Sequence, residues 1–301
     1  MGTQRSAMDW FLEGYRLDTE DASTEEAVDA YKKALKLDGN LTDAYVNLGF
    51  VYLRREEYEK ARKCFSEVLD REPRNPVACN NLGYVYEKME RFGTAKRMYE
   101  KALQLNPGDA EAYINIGNIA DLQGDYSAAI EQYKRAIEVN PASVNSRFCL
   151  AVLYERHDMF DEAIEEYRQI LARDPNHLKS LFNLGGLCIQ QGMYQEGARN
   201  LEKVVVLDPN NADAWNNLGS LCEEMGDIEK AISYYNKSIS LNAFQEEAHF
   251  NLARASLRRN GMGFGGASNE EVKMRLKFLL SLNPKSAKVH RFLQELERSG
   301  A

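Results

Sequence analysis

The sequence predicts an all-α protein, an α-solenoid of about eight helix-turn-helix repeats followed by a C-terminal capping helix. An Asn-Leu-Gly triplet or a close variant recurs at multiples of 34 residues, first at Asn47 and last, in altered form, at Asn251. Five prolines, from Pro73 to Pro209, also follow one another every 34 residues. A fixed period of this length is typical of stacked helical units. Within each period, apolar residues recur every three or four positions, as they do on one face of a helix.

The period divides the chain into a short N-terminal segment, 1–6, which we predict to be disordered, and eight repeats. The repeats are 7–41, 42–75, 76–109, 110–143, 144–177, 178–211, 212–245 and 246–286. The first is degenerate and carries one extra residue between its helices. In the next six, each helix places apolar residues on one face, and a proline usually ends the repeat because it lacks the N–H that a continuing helix needs.

The eighth repeat is interrupted by a glycine-rich insertion at 260–269. A phosphate-binding glycine loop would follow a strand, and no strand is predicted, so we interpret the insertion as a loop between helices. Residues 287–301 then form the capping helix. Val289 and Leu296 would face the stack, whereas Lys288 and Arg298 would face water, as a terminal repeat requires for solubility.

Composition excludes several classes of function. The net charge of −8 argues against nucleic acid, which is usually bound by a basic surface. No apolar run approaches the roughly 20 residues of a membrane span. The five cysteines form no CxxC motif, so we predict a reducing, cytoplasmic location. The four histidines are scattered, and no metal-binding, cofactor-binding or catalytic motif is evident. We therefore predict a protein that is not an enzyme and has no cofactor or metal.

The repeat resembles that of the tetratricopeptide repeat (TPR) family. Its characteristic residues are Leu82, Gly83, Tyr86, Ala95, Tyr99, Ala102 and Pro107 in one repeat, and Trp215, Leu218, Gly219, Ala231 and Tyr235 in another. The resemblance implies a right-handed superhelix in which the first helix of each repeat lines a concave groove. It also implies that the groove binds another protein.

The sixth position of the repeats, counted from residue 42, 76 and so on, is the strongest candidate for this binding. It holds Asn47, Asn81, Asn115, Asn183, Asn217 and Asn251, and is broken by Cys149. An amide both donates and accepts hydrogen bonds, so a row of amides can pair with the backbone of an extended peptide. The row is similar to the asparagine ladder in the TPR superhelix of O-linked N-acetylglucosamine transferases. The alternative is that these residues belong to the repeat consensus and satisfy only local backbone groups.

Neighbouring groove positions complete the predicted peptide-binding set. They are Asn80, Phe148, Phe182, Asn216 and Phe250 at the fifth position, and Phe50, Tyr84 and Asn118 at the ninth. The phenylalanines are expected to form apolar pockets, or alternatively to pack against the next repeat. Acidic residues at second and twelfth positions would favour a ligand with some basic character.

These features predict a non-enzymatic scaffold or adaptor that binds an extended segment of another protein in the groove. Two alternatives stay open: the recognition arm of a glycosyltransferase-like enzyme whose catalytic part lies elsewhere, and a self-associating structural scaffold. One ligand of TPR co-chaperones, the C-terminal carboxylate of heat-shock chaperones, is argued against. Resemblance to those co-chaperones would require Lys at the fifth and Arg at the sixth position of the repeats. In this sequence the fifth positions hold no Lys and the sixth positions hold no Arg.

Overall fold

The computed structural model of the protein describes residues 5–20, 24–261 and 269–299. In these residues all regular secondary structure is helical, and 17 α-helices follow one another. They are α1 (Ala7–Thr19), α2 (Thr24–Leu37), α3 (Thr42–Arg54), α4 (Tyr58–Arg71), α5 (Pro76–Lys88), α6 (Phe92–Leu105), α7 (Ala110–Leu122), α8 (Tyr126–Val139), α9 (Val144–Arg156), α10 (Phe160–Arg173), α11 (Leu178–Gln190), α12 (Tyr194–Leu207), α13 (Ala212–Glu224), α14 (Ile228–Leu241), α15 (Glu246–Gly261), α16 (Asn269–Leu282) and α17 (Ala287–Ser299). The predicted all-α fold of helix-turn-helix repeats is confirmed.

The chain forms two compact units, Met1–Leu153 and Tyr154–Ala301, which we call the N-terminal and C-terminal units. Each contains its own helical hairpins, with consecutive helices packed against each other. In the described part of the chain, no helix combines the length and the apolar character that crossing a membrane would require.

The glycine of the Asn-Leu-Gly triplet marks the closest approach between the two helices of a repeat. A Cβ atom on Gly83 would lie 2.6 Å from the ring of Tyr99, and one on Gly219 would lie 2.5 Å from the ring of Tyr235. Both tyrosine rings are fully buried. The triplet therefore recurs because the second-helix ring needs the space that a side chain would fill.

Turns between helices also follow the period. The fifteenth residue of the regular repeats has a left-handed backbone, with φ of +77° at Gly124, +72° at Gly192 and +83° at Gly226. Glycine adopts this conformation without steric cost. Two first helices begin with asparagine caps: Asn75 accepts a hydrogen bond from the N–H of Ala78, and Asn211 from that of Ala214, both at 2.9 Å.

The ends of the array differ from the regular repeats. At the N-terminus, residues 1–4 of the segment predicted to be disordered lie outside the described residues, while Ser6 caps α1. In the eighth repeat, α15 reaches Gly261, and residues 262–268 of the predicted insertion lie outside the described residues. The helix α17 buries Val289 and Leu296 against Phe250 and Leu276.

Candidate functional site

Positions 2, 6, 9 and 13 of a repeat lie along one side of its first helix, because steps of four and three residues return to the same face. We call these positions the first-helix stripe. In the N-terminal unit the stripe contains Met8, Leu12 and Tyr15 in α1; Asp43, Asn47, Phe50 and Arg54 in α3; Val77, Asn81, Tyr84 and Lys88 in α5; and Glu111, Asn115, Asn118 and Leu122 in α7. All of these side chains are exposed or half-buried.

Large apolar side chains are concentrated on the stripe of the N-terminal unit. Tyr15, Phe50 and Tyr84 occupy the ninth position of three consecutive repeats, and they remain 53, 38 and 39% exposed. Met8, Leu12, Val77 and Leu122, at other stripe positions, are also exposed. Apolar side chains that cluster on a surface without contributing to the core are typical of protein-binding sites.

A concavity of about 400 Å³ lies between α3 and α5 on this surface. Its lining includes Phe50, Leu53, Tyr58, Tyr84, Arg54 and Lys88. The Phe50 ring packs edge-on against Phe65, with centroids 5.5 Å apart, and the Lys88 ammonium lies 4.9 Å from the centre of the Tyr84 ring. Arg54 is paired with Asp18. The aromatic walls are thus held in place while their outer faces stay accessible.

The asparagines of the sixth position connect neighbouring repeats. The Nδ2 group of Asn115 donates to Asn80 Oδ1 at 3.4 Å, and that of Asn251 donates to Asn216 Oδ1 at 3.1 Å. Asn183 donates instead to the Tyr167 hydroxyl at 2.9 Å. Each of these contacts uses one N–H of an amide that has further hydrogen-bonding capacity.

The sixth-position amides differ in burial. Asn47, Asn81 and Asn217 are half-buried, whereas Asn251 and its partner Asn216 are each only 5% exposed. The Nδ2 atom of Asn81 is shielded from solvent and has no acceptor among the described residues. A buried donor without an acceptor is rare in folded proteins and calls for an explanation.

The other predicted groove residues are placed unevenly. Phe250 is 8% exposed and packs on Phe292 of α17, with ring centroids 5.3 Å apart. Phe182 packs on the apolar core of its own unit, and Phe148 is half-buried. Asn118 accepts a hydrogen bond of 2.8 Å from the Tyr133 hydroxyl. Phe50 and Tyr84 are therefore the predicted apolar residues that the structure leaves exposed.

Sequence profiles of the tetratricopeptide repeat match most of the array. The matched residues are 40–106, 76–142, 123–177, 150–198 and 212–243, and a TPR repeat profile matches 23–55. The chain belongs to the tetratricopeptide repeat family. The TPR fold is one that serves as a scaffold for protein interactions, so a protein is the partner class that the fold suggests.

Solved structures agree with this TPR assignment at the level of the fold. YrrB, described as a TPR protein with an unusual peptide-binding site, is 21% identical, with a TM-score of 0.54 over 61% of this chain and 95% of its own. Pseudomonas aeruginosa pilF is 21% identical (TM-score 0.61; 71% and 97% covered). The C-terminal part of a TPR repeat-containing protein from Cytophaga hutchinsonii is 16% identical (TM-score 0.66; 82% and 98% covered). A search of curated protein sequences found no match.

The twelfth-position acids of this TPR protein, which we expected to act on a ligand, are bonded within the fold. Glu87 accepts the Tyr99 hydroxyl at 2.9 Å and Glu155 accepts the Tyr167 hydroxyl at 2.7 Å. In the C-terminal unit the Tyr235 hydroxyl donates to Glu223 at 3.0 Å. The sequence carries the signal for this contact, because a tyrosine follows each of these acids after 12 residues.

Glu223 is also held by two arginines of the next repeat. Arg254 donates through Nε and Nη2, both at 3.0 Å, and Arg258 donates through Nη1 at 2.9 Å. The carboxylate is only 2% exposed. Burial alone raises its pKa, but the hydrogen bonds from Arg254, Arg258 and Tyr235 outweigh burial, so the pKa lies below its ordinary value. Glu223 therefore stays ionised and joins two repeats.

Two features of the described residues of the TPR array concern metal binding and thiol reactivity. No group of His, Cys, Asp and Glu side chains that could hold a metal ion occurs among them. Burial raises the pKa of the Cys64 thiol to about 12 and that of Cys188 to about 11. Because a nucleophilic cysteine must be a thiolate, these two thiols are structural residues at neutral pH.

Proposed function

We propose that this TPR protein is a non-enzymatic, cytoplasmic scaffold that binds an extended segment of another protein along the first-helix stripe of its N-terminal unit. The observation that carries the proposal is the exposure of Tyr15, Phe50 and Tyr84 at the same position of three consecutive repeats. Their regular spacing suits a ligand that runs from one repeat to the next.

Burial of these rings would supply a substantial part of the binding free energy. Fully burying a large apolar side chain contributes roughly 1.5–3 kcal/mol. Since each ring is already about half buried, a partner would gain about 1 kcal/mol per ring. The concavity between Phe50 and Tyr84 would accept one apolar side chain of the partner, and an adjacent acidic residue would meet Lys88.

Sixth-position amides lie three residues before two of these rings on the same stripe, Asn47 before Phe50 and Asn81 before Tyr84. The Asn81 Nδ2 group, which has no acceptor among the described residues, would donate to a backbone carbonyl of the bound segment. A bound peptide would then pair with the amides through its backbone and fill the apolar concavity with a side chain. The peptide-binding site described for YrrB supports the compatibility of the TPR fold with such a ligand.

The C-terminal unit supports the proposal less well. Its ninth positions hold Gly186, Ser220 and Arg254 instead of aromatic residues. The amides of Asn216 and Asn251 are buried against each other, and Arg254 is bound to Glu223. We therefore place the principal binding surface in the N-terminal unit.

The test begins with the selection of peptides that bind the full chain from a random library. Affinity of a selected peptide is then measured by isothermal titration calorimetry for the wild type and for the double variant Phe50→Ala/Tyr84→Ala. We expect the double variant to bind at least about tenfold more weakly, which corresponds to ~1.4 kcal/mol.

A matched control is Phe244→Ala, since Phe244 is 71% exposed but lies in a turn of the C-terminal unit, away from the stripe. Its affinity should equal that of the wild type. Circular dichroism should show unchanged helicity in both variants. Selected peptides that bind the double variant as tightly as the wild type would refute the proposed surface.

A further inference from the structure

A cavity of about 720 Å³ lies in the C-terminal unit between α14, α15 and α16. Its polar lining consists of Asn236, His249, Ser256, Arg259, Glu271 and Arg275. It lies between a second helix and the helices of the next repeat, apart from the first-helix stripe.

Polar residues replace apolar ones at this interface. His249 occupies the fourth position of its repeat, where Trp215 and Leu181 stand in the two preceding repeats, and Ser256 occupies the eleventh, where Tyr52 and Tyr154 stand in earlier ones. His249 and Ser256 are nonetheless buried. Burying a polar group is costly unless it finds a partner, so the replacement indicates a polar function for the cavity.

Arg275 lines the cavity and donates a hydrogen bond to the imidazole of His249. Its Nη1 lies 3.0 Å from His249 Nδ1, and His249 Nε2 lies 3.0 Å from the carbonyl oxygen of Ala243. Because the carbonyl only accepts, Nε2 carries the proton and Nδ1 accepts from the guanidinium. Burial lowers the pKa of His249, and the neighbouring Arg275 lowers it further against the opposing hydrogen bond to Ala243. His249 is therefore neutral and adds no negative charge beside Arg275.

Arg259 brings a second guanidinium to the same cavity. Its Nη1 is 3.4 Å from a carboxylate oxygen of Glu229, while its Nε is shielded from solvent and has no acceptor among the described residues. Glu271 is the one carboxylate among the described residues that line the cavity. Two guanidinium groups and the Glu271 carboxylate thus line the cavity, and Glu229 pairs with Arg259 from outside the lining. Burial lowers the pKa of Arg275, an effect that Glu271 opposes.

We propose that this cavity binds an anionic ligand, a carboxylate or a phosphate that carries an apolar group. Guanidinium groups recognise both anions through paired N–H donors. The Ser256 hydroxyl and the Asn236 amide add further donors. Met274 and Phe278, one turn apart on α16, are exposed and also line the cavity, where they would contact the apolar part of the ligand. This site is independent of the peptide-binding surface proposed above.

The experiment measures binding of hexanoate, hexyl phosphate and hexanol to the full chain by isothermal titration calorimetry. We expect both anions to bind and hexanol to bind at least about tenfold more weakly. The tighter of the two anions identifies the charged group. Equal binding of hexanol, or no saturable binding of either anion at millimolar concentration, would overturn the proposal.

Two variants locate the site. Arg275→Gln removes a guanidinium, and Met274→Glu places a negative charge at an exposed position on the cavity wall, where it cannot disturb the core. Each should weaken binding of the tighter anion at least about tenfold. Arg291→Gln, an exposed change on α17 outside the cavity, should have no effect. Wild-type affinity in Met274→Glu, with its thermal unfolding unchanged, would contradict this location.

Discussion

The two units of the protein use the same repeat to build different surfaces. In the N-terminal unit the ninth position of the first helix presents Tyr15, Phe50 and Tyr84 to solvent, whereas the equivalent Gly186 and Ser220 of the C-terminal unit present almost no apolar surface. A glycine packed against a tyrosine ring joins paired helices in both units, as at Gly83 and Tyr99 and at Gly219 and Tyr235. The residues that pack the paired helices, which we call the framework, therefore specify the fold. The residues of the first-helix stripe can differ between the units without changing it.

The units also differ in how repeats are joined. In the N-terminal unit Glu87 receives a hydrogen bond from a tyrosine of its own repeat. In the C-terminal unit Glu223 receives a similar bond and also binds two arginines of the following repeat. Arg254, a stripe residue, is thereby engaged within the protein. Stripe residues that stabilise the stack are less available to a partner.

The largest expected effect, on the free energy of unfolding, tests whether Glu223 joins neighbouring repeats more strongly than Glu87 does. Glu223→Ala leaves two arginines and a tyrosine hydroxyl without their acceptor, and should lower the free energy of unfolding by about 3 kcal/mol. Glu87→Ala removes one hydrogen bond at a half-buried site and should cost about 1 kcal/mol. Urea unfolding monitored by circular dichroism gives both values. Equal losses would show that the two acids have equivalent structural roles.

A somewhat smaller effect tests the shared framework. Gly83→Ala and Gly219→Ala each place a Cβ atom within 2.6 Å or less of a buried tyrosine ring. Overpacking of this kind costs about 2 kcal/mol, and the two losses should be similar because the geometry is the same in both units.

The control for the framework is Gly186→Ala, where the nearest atom to the new Cβ would be 3.8 Å away. It should stabilise the helix by up to about 1 kcal/mol. Thermal unfolding of the three variants distinguishes these outcomes. A clear difference between Gly83→Ala and Gly219→Ala would mean that the units do not share one packing arrangement.

The sequence predicts the framework well because the constraints on it are local and repeated. The period and the small residue at the eighth position recur along the array, and a turn glycine occurs in three of the six regular repeats, at Gly124, Gly192 and Gly226. The fate of Phe250 is different, since α17 covers it with Phe292 and with Lys288, whose ammonium lies 3.9 Å from the ring centre. The burial of Phe250 thus depends on α17, the helix that follows the last repeat. The 34-residue pattern does not describe that helix.

The amide pairs show a signal that sequence reasoning overlooked. Asn80 and Asn115, like Asn216 and Asn251, combine a fifth-position asparagine with a sixth-position asparagine of the next repeat. Both members of each pair were predicted to bind a peptide. Their spacing of 35 residues equals the distance between adjoining positions on neighbouring first helices, so mutual hydrogen bonding was foreseeable. Peptide binding by the sixth-position row stays a prediction.

The smallest expected effects distinguish an asparagine that stabilises the fold, Asn251, from one that is proposed to bind the peptide, Asn81. Asn251→Ala removes a donor from a buried pair and leaves the Asn216 oxygen unsatisfied, which should lower the free energy of unfolding by about 1–2 kcal/mol. Asn81→Ala removes a donor that has no acceptor among the described residues and should leave the free energy of unfolding almost unchanged.

The affinity for the selected peptide should show the opposite order of effects. Asn81→Ala should weaken binding by about 1 kcal/mol, the value of one hydrogen bond, whereas Asn251→Ala should leave the affinity unaltered. Calorimetry and thermal unfolding of both variants decide the matter. If Asn81→Ala binds the peptide as the wild type does, its amide has no part in recognition, and the aromatic residues of the stripe would account for binding without it.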